Sequence, residues 1–330
     1  MPNDEFDWIN ERKPTQIFQE RLEVGIGDDA AVYRPLAQMN EIVCVDTMIE
    51  DVHFRKDTMN PFDIGFKALA ANISDVAAMG GVPHFYVISI AVTPSWSEEE
   101  LNELYRGMNE LGARYHMDMI GGDTVSSRRD LMVSITVIGA VEEKQQLLRS
   151  SAEPSDIVFL TGPVGMSAAG LELLLERTKD AAYSEREQAL IAYHQRPVPQ
   201  VEAGRLLVEY GGRTALNDIS DGLASECCEI AEASGVSIEL DFSGLPVHEA
   251  MEQLEMQTMK KHMFYGGEDF ELVGTAPSSV WEELSSKFRK AGLALYAIGK
   301  VSAGNGEVFL QENGSRTRLE KSGYNHFRSS

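Results

Sequence analysis

Acidic residues next to glycines, or at the ends of predicted elements, are the side chains of this sequence best suited to chemistry. Asp28 and Asp29 follow Gly25-Ile26-Gly27. The pattern returns at Asp46, Asp75, Gly121-Gly122-Asp123, Asp218-Ile219-Ser220-Asp221-Gly222 and Gly266-Gly267-Glu268-Asp269. Adjacent carboxylates repel each other unless a cation or hydrogen-bond donors lie between them. Each turn alone is typical of a solvated turn or a helix cap, but their recurrence predicts one collected site.

These acids favour metal-assisted phosphoryl transfer over covalent catalysis. The sequence contains no P-loop, no Gly-x-Ser-x-Gly elbow and no zinc spacing of cysteine and histidine, so no covalent nucleophile is indicated. Mg²⁺ takes oxygen ligands, and an enzyme of phosphoryl transfer mainly positions two anions and neutralises their charge. An acceptor phosphate, with a second pKa of about 6, is largely ionised at neutral pH and needs no strong base.

Two interpretations stay open for Asp218 and Asp221, which flank Ser220 where a predicted strand meets a predicted helix. In the first, Ser220 or Asp221 caps the helix. In the second, the helix N-terminus and Ser220 bind a phosphate, and the two aspartates bind the metal ion that accompanies the phosphate. The methionines between Met251 and Met263 are more typical of soft core or a mobile cover than of a site. Cys227 and Cys228 are most simply buried small hydrophobes.

Length and composition indicate a globular protein of two domains. The chain has 330 residues, of which 43% are hydrophobic, and a formal net charge of −23. Such a charge repels nucleic acid and anionic membranes, and the sequence has no large basic cluster to offset it. Its apolar runs are too short to span a bilayer, and its polar N-terminus is not typical of a secretory signal. Three cysteines make no disulfide framework, so we expect a cytoplasmic protein.

Strands and helices alternate along the chain, which predicts an α/β or α+β fold in two layers. The polar stretch 142–155 predicts a boundary between an N-terminal domain, residues 1–145, and a C-terminal domain, residues 146–330. Apolar residues at helical spacing predict a helix over Pro61–Met79, which contains Asp75. Ser97 to Glu100 forms a capping box that opens a second helix. Other expected elements are strands at 41–46, 86–92 and 215–219, a short strand at 117–120 before a Gly121–Asp123 turn, and helices at 223–233 and about 247–262.

Ordered blocks along nearly the whole chain resemble the thiamine-monophosphate kinase family, of the aminoimidazole-ribonucleotide-synthetase-like superfamily. The blocks are Gly25–Asp29, Asp46-Thr47, Val52-His53-Phe54, Lys67–Gly80, Ile120–Thr124, Leu160–Gly162, Asp218–Leu223, Gly266–Asp269 and Gly323–Phe327. The resemblance implies ATP-dependent phosphorylation of thiamine monophosphate to thiamine diphosphate with several Mg²⁺ ions. It also implies an N-terminal α/β domain that pairs its sheet with that of a second subunit, and therefore a homodimer.

The resemblance also implies roles for individual residues. The implied metal ligands are Asp29, Asp46, Asp75, Asp123, Asp218 and Asp221, with Asp28 as a companion of Asp29. The implied ATP contacts are Gly122, Asp123, Arg149 and Ser220, with Tyr105 as a further candidate. The implied contacts to the thiamine phosphate are His53, Glu268 and Tyr324.

The stretch Val45–His53 departs from the family pattern. Val45 stands where the family usually has a threonine, so one metal is expected to lose a hydroxyl ligand, and Asp51 replaces a glycine. Two alternatives therefore accompany the kinase interpretation. One is another ATP-using member of the superfamily, such as an aminoimidazole ribonucleotide synthetase. The other is a non-catalytic module that binds a nucleotide or a metal. Terminal cysteines expected of selenophosphate synthetases or of hydrogenase-maturation proteins are missing from this sequence.

Overall fold

The structure, a computed structural model, describes residues 13–27 and 29–322. The chain divides into two compact units. The first holds the described residues up to Val76, together with Gly81–Lys144 and Thr178–Asp180. The second holds Ala77–Gly80, Gln145–Arg177 and the described residues from Ala181 onward. The predicted mixture of strands and helices is confirmed. None of the helices in this described part combines the length and apolar character that crossing a bilayer requires.

The first unit is built around a four-stranded sheet. A short antiparallel ladder of β1 (Leu22–Val24) and β2 (Val32–Tyr33) precedes it. The strands of the sheet are β3 (Met39–Ile49), β4 (Val82–Val92), β5 (Asp118–Ser126) and β6 (Met132–Glu142), in the spatial order β3-β6-β4-β5. β6 is antiparallel to both β3 and β4, whereas β4 and β5 are parallel.

Two helices, α1 (Pro61–Ala78) and α2 (Glu98–Arg114), belong to this part of the chain. Proline suits the first turn of α1 because its missing N–H has no partner within a helix there. α2 begins at the predicted capping box, in which Ser97 and Glu100 each accept the other's backbone N–H. The helices cross at glycines: an ideal Cβ on Gly107 of α2 would lie 1.9 Å from the carbonyl oxygen of Phe62.

The helices cover one face of the sheet and leave the other open. The Tyr86 hydroxyl of β4 donates to Asn109 of α2 at 3.0 Å. The Cys44 thiol of β3 reaches the carbonyl oxygen of Asn72 in α1 at 3.3 Å. Side chains alternate between the faces of a strand, so Val43 and Val45 lie on the opposite face, where they are 66% and 60% exposed.

The second unit combines a seven-stranded sheet with six described helices. The helices are α3 (Met166–Arg177), α4 (Glu185–Gln195), α5 (Val201–Tyr210), α6 (Leu223–Ser234), α7 (Met256–Tyr265) and α8 (Trp281–Lys290). The strands are β7 (Asp156–Leu160), β8 (Ala215–Asp218), β9 (Val236–Asp241), β10 (Leu272–Pro277), β11 (Tyr296–Ala303), β12 (Val308–Glu312) and β13 (Ser315–Leu319). Their spatial order is β13-β12-β9-β11-β7-β10-β8, which makes β8 an edge strand. Cys227 and Cys228 lie in the apolar core of this unit, as expected.

Two predictions of local structure are wrong. Gly121–Asp123 is not a turn but continues β5, opposite Val87–Ser89 of β4. An ideal Cβ on Gly122 would lie 2.5 Å from the Ile88 carbonyl oxygen, so glycine here permits close strand approach. The methionine-rich segment is not one helix, since a 3₁₀ turn at Glu249–Met251 precedes α7.

Candidate functional site

Asp46 and Asp75 come together on the helix-covered face of the first unit. Burial, followed by the charges of Asp75 and Asp46, raises the pKa of the Cys44 thiol. The backbone N–H of Asp46 donates to Asn72 Oδ1 at 3.1 Å, which ties β3 to α1 beside both acids. Burial also raises the pKa of Asp46. A cation beside the two carboxylates would offset the cost of burying the charge of Asp46.

Asp123 lies on the other face of the same sheet. The pairing across the strands places Asp46 in one row with Ile88 and Gly122. Asp123 is the next residue of β5, so its side chain turns to the open face, where it is exposed. Val45 also points to that face. A threonine at position 45 would place its hydroxyl on the open face. Val45 therefore does not remove a metal ligand from the face on which Asp46 lies.

Asp29 is exposed in the loop between β1 and β2. Gly27 has a φ of +132°, which confirms that a glycine conformation shapes this loop. Asp28, its predicted companion, lies outside the described residues, and so does Tyr324. Tyr105, the further ATP candidate, is buried in α2 with 7% exposure.

His53 belongs to a tight turn that follows β3. The Ile49 N–H donates to His53 Nδ1 at 3.1 Å, so the proton of the neutral ring is on Nε2. That nitrogen is a donor of the kind a phosphate oxygen accepts. Asp51 has a φ of +63°, so it adopts the left-handed conformation that favours glycine. The aspartate therefore keeps the turn that the family's glycine would make.

In the second unit, β8 ends at the buried Asp218 and the chain enters α6 through Ser220, Asp221 and Gly222. Gly222 is the N-cap residue, with a φ of +110°, and no side chain caps this helix. The capping interpretation of Ser220 and Asp221 is therefore wrong. A helix N-terminus without a side-chain cap favours an anion such as a phosphate.

The segment that carries Glu268 is attached to this turn. The Glu268 N–H donates to the Ser220 carbonyl oxygen at 2.8 Å, and the Phe270 N–H donates to that of Ile219 at 2.9 Å. An ideal Cβ on Gly267 would lie 2.2 Å from the Ser220 carbonyl oxygen, so only glycine allows this approach. The predicted contact to the thiamine phosphate and the predicted ATP contact are thus neighbours within the second unit.

Buried acids and a buried histidine surround Glu268. Nδ1 of His194 lies 3.7 Å from a carboxylate oxygen of Glu268 and 3.1 Å from the Ser167 hydroxyl. Asp269 accepts the backbone N–H groups of Gly165 at 2.6 Å and Ser167 at 3.0 Å. Burial raises the pKa of Asp269 to about 7. The two backbone donors hold the side chain of Asp269 in place next to Glu268.

Arg149 is held by two partners. Its Nε donates to Asn217 Oδ1 at 2.8 Å, and its Nη1 lies 2.8 Å from a carboxylate oxygen of Glu229. Asn217 in turn donates to Glu226, a buried carboxylate that lies beside Asp218. Burial, followed by the charge of Asp218, raises the pKa of Glu226 to about 8.

The predicted ligands fit Mg²⁺ as a shared rather than an enclosed ion. Throughout the described residues, no three His, Cys, Asp or Glu side chains gather closely enough to hold a metal. Mg²⁺ commonly takes one or two carboxylates and completes its shell with water and substrate phosphates. The neighbouring Asp46 and Asp75 are donors of that kind.

Sequence reasoning missed the polar residues behind the predicted contacts: Asn72, His194, Asn217, Glu226 and Glu271. The acids among them do occur in the sequence beside recognised motifs, as Glu226 does within one turn of Gly222. Asn72 shares a helical face with Ala68 and Asp75, and this shared face is the one feature of the sequence that could have identified Asn72.

The chain is similar to known proteins over nearly its whole length. Residues 27–141 match the N-terminal domain of AIR synthase related protein, and residues 153–311 match the C-terminal domain. Thiamine-monophosphate kinase from Bacillus subtilis (strain 168) is 51% identical over 98% of this chain and 100% of its own length. The chain belongs to the thiamine-monophosphate kinase family.

Solved structures of the thiamine-monophosphate kinase family share its fold. Thiamine-monophosphate kinase from Stenotrophomonas maltophilia K279a has a TM-score of 0.83 and 31% identity, covering 94% of this chain and 96% of its own. AaThiL complexed with AMPPCP and TMP has a TM-score of 0.77 and 30% identity, covering 92% of each chain.

Proposed function

We propose that the protein transfers the γ-phosphoryl group of ATP to thiamine monophosphate, giving thiamine diphosphate and ADP. Membership of the family makes the chain a kinase whose acceptor is a phosphate group. The observation that carries the proposal is the 51% identity with the Bacillus subtilis kinase over 98% of this chain. AaThiL complexed with AMPPCP and TMP supports ATP and thiamine monophosphate as the two substrates.

Direct in-line transfer suits the residues of this chain. The acceptor phosphate, with a second pKa of about 6, is ionised at neutral pH, so no general base is needed. What the protein must supply is positioning and charge neutralisation. Nε2 of His53 and the N-terminus of α6 with Ser220 offer donors to phosphate oxygens. Arg149 offers a guanidinium that is already oriented by Asn217.

Mg²⁺ is assigned to the carboxylates. In the first unit its proposed ligands on the helix-covered face are Asp46 and Asp75, with Asp29 and the companion Asp28 as further ligands. Asp123, which lies on the open face, is proposed as a ligand of a separate ion. In the second unit they are Asp218 and Asp221. When bound, Mg²⁺ would neutralise charge on the phosphates. The raised pKa of Asp46, caused by burial, supports this assignment because a nearby cation would favour the charged carboxylate.

The remaining residues are each proposed as contacts to one of the two substrates. Glu268 and Tyr324 are proposed as contacts to thiamine monophosphate, where a carboxylate suits the cationic thiazolium ring. Gly122, Asp123 and Tyr105 are proposed as contacts to ATP. For Gly122 the supporting observation is its exposure in β5, where the backbone is open to a ligand.

The test is an assay with ATP, Mg²⁺ and thiamine monophosphate. We expect thiamine diphosphate from the wild type. Asp75→Asn and Asp218→Asn should each lower turnover by about 100-fold or more, because each removes a charge that holds a cation. Asp130→Asn, at an exposed acid with no assigned role, is the control and should turn over normally. No diphosphate with any divalent metal would refute the proposal, and near wild-type turnover in both variants would refute the metal assignment.

We also propose a cytoplasmic homodimer with an N-terminal domain of residues 1–145 and a C-terminal domain of residues 146–330. The net charge of −23 supports a protein that avoids nucleic acid and anionic membranes. The dimer is supported by the exposed Val43 and Val45 on the open face of the first sheet. A second copy of that face would remove these valines from water.

A further inference from the structure

Glu226 lies one turn into α6 and is 3% exposed. One carboxylate oxygen, Oε1, accepts the backbone N–H of Asp221 at 3.0 Å and faces the Ser220 hydroxyl at 3.4 Å. The other oxygen accepts the side-chain amide N–H of Asn217. A single buried carboxylate therefore holds the turn between β8 and α6 on one side and a side chain of β8 on the other.

Asn217 has both ends of its amide in use, and it is 1% exposed. Its Nδ2 donates to Glu226, and its Oδ1 accepts the Nε–H of Arg149 at 2.8 Å. These two partners determine which way the amide points, because a flipped amide would present its NH₂ group to the guanidinium. The orientation set by Glu226 is thus passed to Arg149.

Arg149 is itself half exposed, with 51% of its side chain open. An arginine at the surface loses much rotamer freedom when it binds a phosphate, and that loss weakens binding. The Asn217 contact removes part of this freedom beforehand. The same chain of hydrogen bonds begins at Ser220 and Asp221, so it joins two groups assigned to the nucleotide and its metal.

We propose that Glu226 and Asn217 are positioning residues, which hold Arg149 and the Ser220–Asp221 turn in one arrangement for binding ATP. The proposal rests on the proposed function for the roles of Arg149 and Ser220. Neither positioning residue needs to touch a substrate. Their effect is on the affinity for the nucleotide and not on that for thiamine monophosphate.

An exchange of the two side chains tests this directly. Glu226→Gln alone turns an amide donor toward the Asn217 donor, and Asn217→Asp alone sets a second carboxylate against Glu226. In the double variant Glu226→Gln/Asn217→Asp, the aspartate accepts from both Arg149 and the glutamine, and the glutamine oxygen still accepts from Asp221. The double variant keeps the charge and the number of donors, so it restores the network with the partners reversed.

The measurement is calorimetric binding of a nonhydrolysable ATP analogue with Mg²⁺, and separately of thiamine monophosphate, to the full chain at about pH 9, where Glu226 is ionised. We expect each single variant to weaken analogue binding by about tenfold or more, as the loss of a charge-assisted hydrogen bond predicts. Binding of thiamine monophosphate should stay within about twofold, and the double variant should recover analogue binding to within about threefold of wild type. Glu232→Gln, on an exposed part of the same helix, is the matched control and should bind like wild type.

Additive losses in the double variant, or equal losses for both ligands, would overturn the proposal. If a single variant does not fold, Arg149→Lys is introduced both into the wild type and into the folded double variant, because lysine has no Nε donor for the side chain at position 217. Arg149→Lys should weaken analogue binding about equally in the two backgrounds, and a much smaller loss in the double variant would overturn the proposal. Analogue binding needs no acceptor, so a wild type that binds the analogue but makes no thiamine diphosphate refutes only the proposed function.

Discussion

Glu271 shows how strongly single residues of the second unit respond to burial. Its carboxylate accepts the Thr161 hydroxyl at 2.6 Å and the Gln200 amide at 3.2 Å. Burial nevertheless raises its pKa from the ordinary 4.5 to about 7. The hydrogen bonds favour the charged form, but the cost of removing a charge from water is larger here.

This shift predicts a pH dependence of stability. The folded state binds the Glu271 proton more tightly than the unfolded state, so the stabilising contribution is fully present below about pH 4.5 and is lost as the pH rises to about 7. The loss amounts to about 3 kcal/mol, at about 1.4 kcal/mol for each pH unit. Glu271→Gln removes the titrating group, so its free energy of unfolding should fall less than that of wild type between these pH values.

Urea unfolding at a series of pH values measures the difference. Glu282→Gln, at an exposed position of α8, is the control and should follow the wild-type pH profile. A Glu271→Gln profile parallel to that of wild type would contradict the raised pKa.

The sequence identified acids that could bind a ligand but not the side chains that hold them. Arg149 and Asn217 are 68 residues apart, and Thr161 and Glu271 are 110 apart. No local pattern connects such pairs, because folding alone brings them together. Asp123 illustrates the reverse case: its motif was recognised, but the face on which it lies depends on the strand register.

At the level of elements, the crossing of α1 and α2 depends on two glycines. An ideal Cβ on Gly65 would lie 1.9 Å from the Leu104 carbonyl oxygen, and one on Gly107 would lie equally close to that of Phe62. The backbones therefore touch. The helix that carries Asp75 can reach its position only because neither glycine has a side chain.

Gly107→Ala should destabilise the protein even though alanine is the better helix former. Propensity alone would stabilise the helix by about 1 kcal/mol. Overpacking of a core costs about 1–3 kcal/mol and here acts on rigid backbone, so we expect a net loss and a lower melting temperature. Glu110→Ala, at an exposed position of the same helix, should stay within about 0.5 kcal/mol of wild type. A variant Gly107→Ala as stable as wild type would contradict the close crossing.

Long periodic elements were predictable, and glycine-rich segments were not. The spacing of Phe62, Phe66 and Leu69 predicted α1, and its observed bounds differ little from those expected. Gly121 and Gly122 suggested a turn because glycine tolerates turn conformations. In the structure the parallel pairing with β4 prevails, since the glycines let the two strands approach.

At the level of the whole molecule, the open sheet face predicts self-association. Val43 and Val45 are more exposed than apolar side chains of a sheet usually are. Lysines at both positions should abolish the proposed dimer, because its interface would then bury like charges. Sedimentation velocity should therefore find a dimer for wild type and a monomer for the variant Val43→Lys/Val45→Lys.

Val198→Lys, at an exposed valine of the second unit, is the matched control for this experiment. It should sediment as a dimer. A wild type that is monomeric at micromolar concentration would refute the homodimer, and a dimeric double variant would refute this face as its interface.

The coupling between ADP release and product formation tests the central claim most directly. Direct transfer to thiamine monophosphate predicts one ADP for each thiamine diphosphate, and almost no ADP when thiamine monophosphate is omitted. Chromatography of both products during a single time course, with Mg²⁺ present, gives this ratio. ADP without thiamine diphosphate, accompanied by free phosphate, would contradict the account and indicate another ATP-dependent activity.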